Sequence, residues 1–169
     1  VSEARSPTIV IRQVRPAEHD AVAQLTASVY ADVLGRLLSE AYLGELSDVG
    51  RRAREAVVLV AVDACDQLLG SVTYVPGPGP YAEFDGPDEA GIRMLVVDPG
   101  AQRRGVGTAL VEACIERARD ARRTRLALHT VDEMAGAKRL YEKLGFRRAP
   151  ERDGDPEPGV HLLAYVLDL

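Results

Sequence analysis

Apolar positions along this chain change period several times, and each change predicts a boundary. Residues 8–14, TIVIRQV, alternate with Ile9 and Ile11 on one side, as a strand does. Arg15-Pro16 ends that pattern, and AEHDAVAQLTASVYADV (17–33) takes helical spacing through Val22, Leu25 and Val29. A second helical stretch, 36–56, is expected to break near Gly44 and Gly50, because glycine weakens a helix interior. Residues 56–75 carry two β-rich runs around DACDQ and predict an antiparallel hairpin. PGPGPYAEFDGPDEAG (76–91) has no period and predicts a long loop over a site. IRMLVV (92–97) reads as a buried central strand, and 106–123 as an amphipathic helix. A strand (124–131), a helix ending at Gly145, a short strand (146–149), a polar turn (151–159) and a final strand (160–169) complete the chain. The order β-α-α-β-β-β-α-β-α-β-β predicts an α/β (α+β) domain, a mixed central sheet flanked by helices. One domain, 9–169, is expected to follow a flexible tail, 1–8.

Composition narrows the partners. The 169 residues are 46% hydrophobic and 28% charged, with a formal charge of −5, so no basic nucleic-acid footprint is present. Cys65 and Cys114 give no disulfide framework. The first residues lack the basic region and apolar core of a signal peptide. No apolar run approaches the roughly 20 residues of a spanning helix. A cytoplasmic protein without membrane attachment is expected. Open sheet edges add the expectation of a homodimer.

The chemistry begins where the central strand ends. Between it and the following helix lies Gln102-Arg103-Arg104-Gly105-Val106-Gly107-Thr108. This is not a Walker loop, which needs a lysine and wider spacing. Nor is it a dinucleotide fingerprint, since the third glycine is missing and 126–131 carries no ribose-binding acid. What remains is a glycine-opened helix start whose first amides lack intrahelical partners, with two arginines beside it. Such a mouth suits a pyrophosphate. A solvated basic helix start is the competing reading.

The sequence resembles the GCN5-related N-acetyltransferase (GNAT) superfamily. Residues 102–107 match its Q/R-x-x-G-x-G/A acyl-CoA loop, and 137–146, AKRLYEKLGF, match its A-x-x-L-Y-E-K-x-G-F signature. The resemblance implies a GNAT-like three-layer fold, with acetyl-CoA as acyl donor and a primary amine of a small molecule or peptide as acceptor. It implies that Gln102, Arg103, Arg104, Gly105, Val106, Gly107 and Thr108 hold the pyrophosphate, with Ala137 also on the cofactor side. Leu95, Val96 and Val97 would pair with the pantetheine arm through a bulged strand. An amide near Leu95 would serve the acetyl carbonyl, and Tyr141 would be the acid for the departing thiolate. Two positions depart from the family: Met134 replaces a frequent asparagine, and Gly91 a glutamate base found in some members.

A protonated alkyl amine, with a pKa of about 10.4, needs a base. Glu89 is the leading candidate, ahead of Glu83, Asp85 and Asp88 on the irregular loop. His129 is a second candidate and His161 a third. Tyr81, Glu83, Phe84 and His129 are expected around the acceptor. Tyr81 and Phe84 would serve equally as pins for the loop. No histidine and acid share metal-motif spacing, so no metal is expected. Two readings stay open beside the enzyme: a catalytically inactive CoA-binding regulatory module, and a non-catalytic interaction domain.

Overall fold

The computed structural model describes residues 8–169; the expected tail lies outside them apart from Thr8. Strands β1 (Val10–Gln13), β2 (Val57–Val62), β3 (Leu68–Val75) and β4 (Glu89–Val97) are joined with β5 (Arg125–Thr130), β6 (Arg147–Arg148), β7 (Gly154–Glu157) and β8 (Val160–Asp168). The helices are α1 (His19–Leu34), α2 (Glu40–Ser47), α3 (Val49–Glu55), α4 (Val106–Asp120) and α5 (Ala135–Lys143). Sheet order is β1-β2-β3-β4-β5-β8-β6, with β7 paired to β8. Among the described residues only β4 and β5 run parallel; every other pairing is antiparallel.

Alternation along β2 explains the three layers. Leu59 and Ala61 enter the main core with Leu110, Cys114 and Ala118 of α4. Val58, Val60 and Val62 face the other way, onto Val22 of α1 and Val49 of α3. A strand with apolar residues on both faces must be covered on both. Gly70 on β3 permits close approach of α4: a Cβ there would stand 2.7 Å from the Val96 carbonyl and 3.0 Å from the Val106 side chain.

Three boundaries differ from the pattern. The second helical stretch divides at Asp48, not at Gly44 or Gly50, because the Asp48 carboxylate accepts from the Arg51 amide at 3.0 Å and starts a new helix. β4 begins at Glu89 rather than residue 92, since Glu89 is buried against arginines and Gly91 leaves room for a neighbour. Part of the predicted polar turn, 154–157, is the edge strand β7, whose exposed GDPE carries no apolar alternation to read.

Candidate active site

The central strand is bulged. Ser71 pairs with Val96 and Thr73 with Arg93, so Val72 faces two residues of β4, Met94 and Leu95. Met94 takes φ 54°, unusual for a non-glycine residue. The extra residue resets the alternation. Ala90 and Ile92 face the main core before the bulge, and Leu95 and Val97 face it after. Behind the bulge lies Arg52 of α3, only 1% exposed. It donates to the Leu46 carbonyl at 3.1 Å and to the Met94 sulfur. Burial lowers the Arg52 pKa, and Tyr81 and Tyr30 oppose that shift.

The bulge coincides with an opening in the sheet. β4 and β5 pair only from Glu89↔Arg125 to Ile92↔Leu128, whereas β5 continues on β8 as far as Thr130. Beyond Ile92 the parallel strands therefore separate. On one side of this opening stand the exit of β4, the glycine loop and α4. On the other is a cavity of about 290 Å³.

The loop has the expected form, with different duties for its glycines. Gly105 sits at φ 81°, and a Cβ on it would meet nothing within 4 Å. Arg103 also has a positive φ, 59°. No side chain caps α4, and Ala109 donates back to the Gly105 carbonyl at 3.0 Å. The helix thus presents its first amides uncapped, with Gln102, Arg103 and Arg104 exposed beside them. Gly107 serves packing instead, since a Cβ there would lie 3.1 Å from Leu140; its absence seats α5 against α4. Open space at Gly105 and uncapped amides fit a pyrophosphate ligand, as an anion needs donors it can reach.

Tyr141 lies on α5, 4% exposed, packed on Phe146 (5.6 Å between centroids) and Tyr165 (6.2 Å). Burial holds its pKa well above the ordinary tyrosine value, so the phenol keeps its proton. Met134 occupies the N-cap of α5 without a side-chain bond and lines the cavity. A capping asparagine would bond there, and methionine contributes apolar wall instead.

The cavity brings Glu83 and His129 together. His129 Nε2 donates to the Arg152 carbonyl at 2.9 Å, and Nδ1 lies 3.3 Å from Glu83 Oε2. Both ring nitrogens face acceptors. Glu83 foremost, then the Arg152 carbonyl, raises the imidazole pKa against the lowering effect of burial. Burial alone would raise the Glu83 pKa, but His129 and Arg93 together hold it below the usual carboxylate value. Arg93 Nε is 3.1 Å from Glu83 Oε1, and its Nη1 donates to Glu45 at 3.2 Å. Glu45, Arg93, Tyr30 and Tyr42 had not been expected here. The available signal was a charged residue inside the apolar run IRMLVV, at a position whose neighbours Ile92 and Met94 are buried.

Other candidates are placed elsewhere. Glu89 starts β4 at the end away from the bulge, its side chain 8% exposed. It accepts from Arg152 at 2.7 and 2.9 Å and meets Arg125 at 3.4 Å. Arg152 foremost lowers its pKa, against burial. The structure does not bring Glu89, the leading expectation for the base, into the cavity. Phe84 packs with Ala127, Ala149, Ala164 and Val166 and stands 3.0 Å from where a Gly91 Cβ would be, so it pins the loop. Tyr81 does the same between Arg51 (5.8 Å) and Arg93 (5.6 Å). Neither lines the cavity. His161 is half-exposed and bonds Asp155 at 2.7 Å.

A bulged strand parting from its parallel neighbour, beside a glycine-opened helix start, defines an acyltransferase-like architecture. Residues 21–146 match the acetyltransferase (GNAT) family model, and the chain belongs to that family. It is 32% identical over 151 residues to a mycothiol acetyltransferase of Salinispora tropica, covering 83% of this chain and 45% of that protein. The chain thus spans about half the length of that relative. A GCN5-related N-acetyltransferase from Kribbella flavida superposes with TM-score 0.71 at 27% identity, over 95% of this chain and 98% of that one. A Salmonella typhimurium structure, solved with its cofactor acetyl-CoA, superposes with TM-score 0.66 at 21% identity, over 95% and 94%. Among the described residues no helix is long and apolar enough to cross a membrane.

Proposed function

We propose that this chain is an acetyl-CoA-dependent N-acetyltransferase acting on a primary amine by direct transfer. The observation that carries the reading is the opening beyond Ile92, with uncapped amides on one side and a carboxylate–histidine pair on the other. Support for the donor comes from the family match and from the Salmonella neighbour solved with acetyl-CoA. The amides of 103–108 would hold its pyrophosphate, and the backbone of Leu95, Val96 and Val97 its extended arm.

Acetyl-CoA supplies the activated acetyl group and the thiolate that leaves. The chain's residues manage the protons. Glu83 accepts a hydrogen bond from the entering ammonium, and the Glu83–His129 pair takes up its proton as one unit. The amide at the Met94–Leu95 bulge is the donor for developing negative charge on the carbonyl oxygen. Tyr141, kept protonated by burial, is the proton donor on the α5 side. Direct transfer follows because neither cysteine suits an acyl-enzyme. Burial pushes the Cys114 thiol up to about 12, and Cys65 is exposed in the β2–β3 turn.

The test is calorimetric titration with acetyl-CoA followed by thiol release over an amine panel. The reading expects saturable binding and amine-dependent release. Absence of binding would favour the interaction-domain reading, and binding without release the regulatory one.

A further inference from the structure

We infer that the acceptor is an amphipathic monoamine, one cationic nitrogen on an aromatic or aliphatic body with no carboxylate or phosphate. This rests on the acetyltransferase reading and names the substrate class of its acceptor cavity. Two features of the lining carry it.

The first is the charge balance. The lining contains three carboxylates, Glu45, Glu83 and Glu157, against one arginine, Arg93, and one histidine, His129. Arg93 is already engaged by Glu45 at 3.2 Å and Glu83 at 3.1 Å. His129 is engaged by Glu83 and the Arg152 carbonyl. No lining cation is left for an acidic group on the acceptor. The Glu45 and Glu83 side chains keep 36% and 32% of their surface exposed, so each has oxygen surface to offer an ammonium. A zwitterionic amino acid would bring a carboxylate against these acids with nothing to neutralise it.

The second is the wall. Away from the charged cluster the cavity is lined by Leu34, Leu37, Val131, Met134, Val160 and Leu162. Tyr30 and Tyr42 stand edge to face, 6.0 Å between centroids, and also line it. The Ser39 hydroxyl donates to Glu157 at 3.0 Å and ties the start of α2 to β7 across the rim. A polyhydroxylated amine would lose water contacts here and find aliphatic carbon in return. An aromatic or alkyl body would bury apolar surface and present its π face or methylenes to the tyrosines. The volume, about 290 Å³, sits at the small end for ligand sites, which suits a molecule of amino-acid size.

Three amines of similar bulk test this: phenethylamine, phenylalanine and glucosamine. Each is titrated calorimetrically into the protein without acetyl-CoA and again with it, and each is then assayed for thiol release. Phenethylamine is expected to bind at least about tenfold more tightly than either comparison and to give the highest kcat/KM. Glu45→Gln should weaken phenethylamine binding and narrow its advantage over phenylalanine, with the acetyl-CoA affinity unchanged. Equal affinities, or a preference for phenylalanine or glucosamine, would overturn the inference. Failure of acetyl-CoA to bind would sink the acetyltransferase reading instead, and the amine titration without it would still decide the chemistry of the cavity.

Discussion

Two carboxylates, one at the start of the central strand and one on the loop before it, are each held by arginine and differ in access. Glu89, at the start of β4, is 8% exposed and takes two short bonds from Arg152 with Arg125 alongside. Glu83, beside the opening, is 32% exposed and makes looser contacts of 3.1 and 3.3 Å with Arg93 and His129. Glu89 does not line the cavity, and its proton affinity is lowered by a neighbour that never gives up its charge. Glu83 shares its charge with an imidazole whose pKa it raises from 6.5. Residue type and arginine company do not distinguish a structural clamp from a base. Access and the identity of the third partner do.

The comparison can be broken by mutating both sites. Glu83→Gln should lower kcat by about 100-fold or more, the usual scale for losing a general base, with acetyl-CoA binding unchanged by calorimetry. Gly105→Val forces a β-branched residue to φ 81° and fills the mouth of the loop. Acetyl-CoA affinity should fall by about tenfold or more with the fold intact by circular dichroism. Tyr141→Phe should slow transfer by about tenfold and leave that affinity unaltered. Glu89→Gln should act on stability instead. Leaving Arg152 without its carboxylate costs about 3 kcal/mol, and the melting temperature should drop by about 6–12 °C with most activity per folded molecule retained.

Glu89 and His129, the partner of Glu83, respond to pH with opposite signs. The Glu89 pKa is lowered in the folded state, so its stabilisation is complete above the unfolded value and is lost as pH falls through the folded one. The His129 pKa is raised from 6.5, so its stabilisation is complete below 6.5 and is lost as pH rises through the higher folded value. Catalysis runs against that second trend, because the pair must be free to accept a proton.

Much of the fold was legible because burial imposes period. The hairpin around DACDQ, the amphipathic α4 and a mixed sheet flanked by helices follow from apolar spacing, whereas the three-layer form came from the family resemblance. The glycine loop was legible because backbone geometry restricts residue type: φ 81° at Gly105 is a demand that sequence records. The cavity left no periodic trace, although Glu83 and His129 had been expected around the acceptor. Tyr30, Glu45, Glu83, Arg93 and His129 come from α1, α2, a loop, β4 and β5, and no periodicity joins them. Glu89 drew attention as a base because it precedes an apolar run and looks like a loop acid, while its arginine partner lies 63 residues away. Met94 gave no warning of the bulge, since a methionine in an apolar strand looks ordinary until the register is counted.

The most direct test of the central claim is the pH dependence of kcat at saturating amine and acetyl-CoA in three proteins: the unmodified chain, Glu83→Gln and Glu89→Gln. If the Glu83–His129 pair is the base, the unmodified chain and Glu89→Gln rise with pH through a shared inflection above 6.5. Glu83→Gln should lose that inflection along with most of its rate. An inflection that persists in Glu83→Gln, or that vanishes in Glu89→Gln, would contradict the assignment and return the base to the other end of the strand.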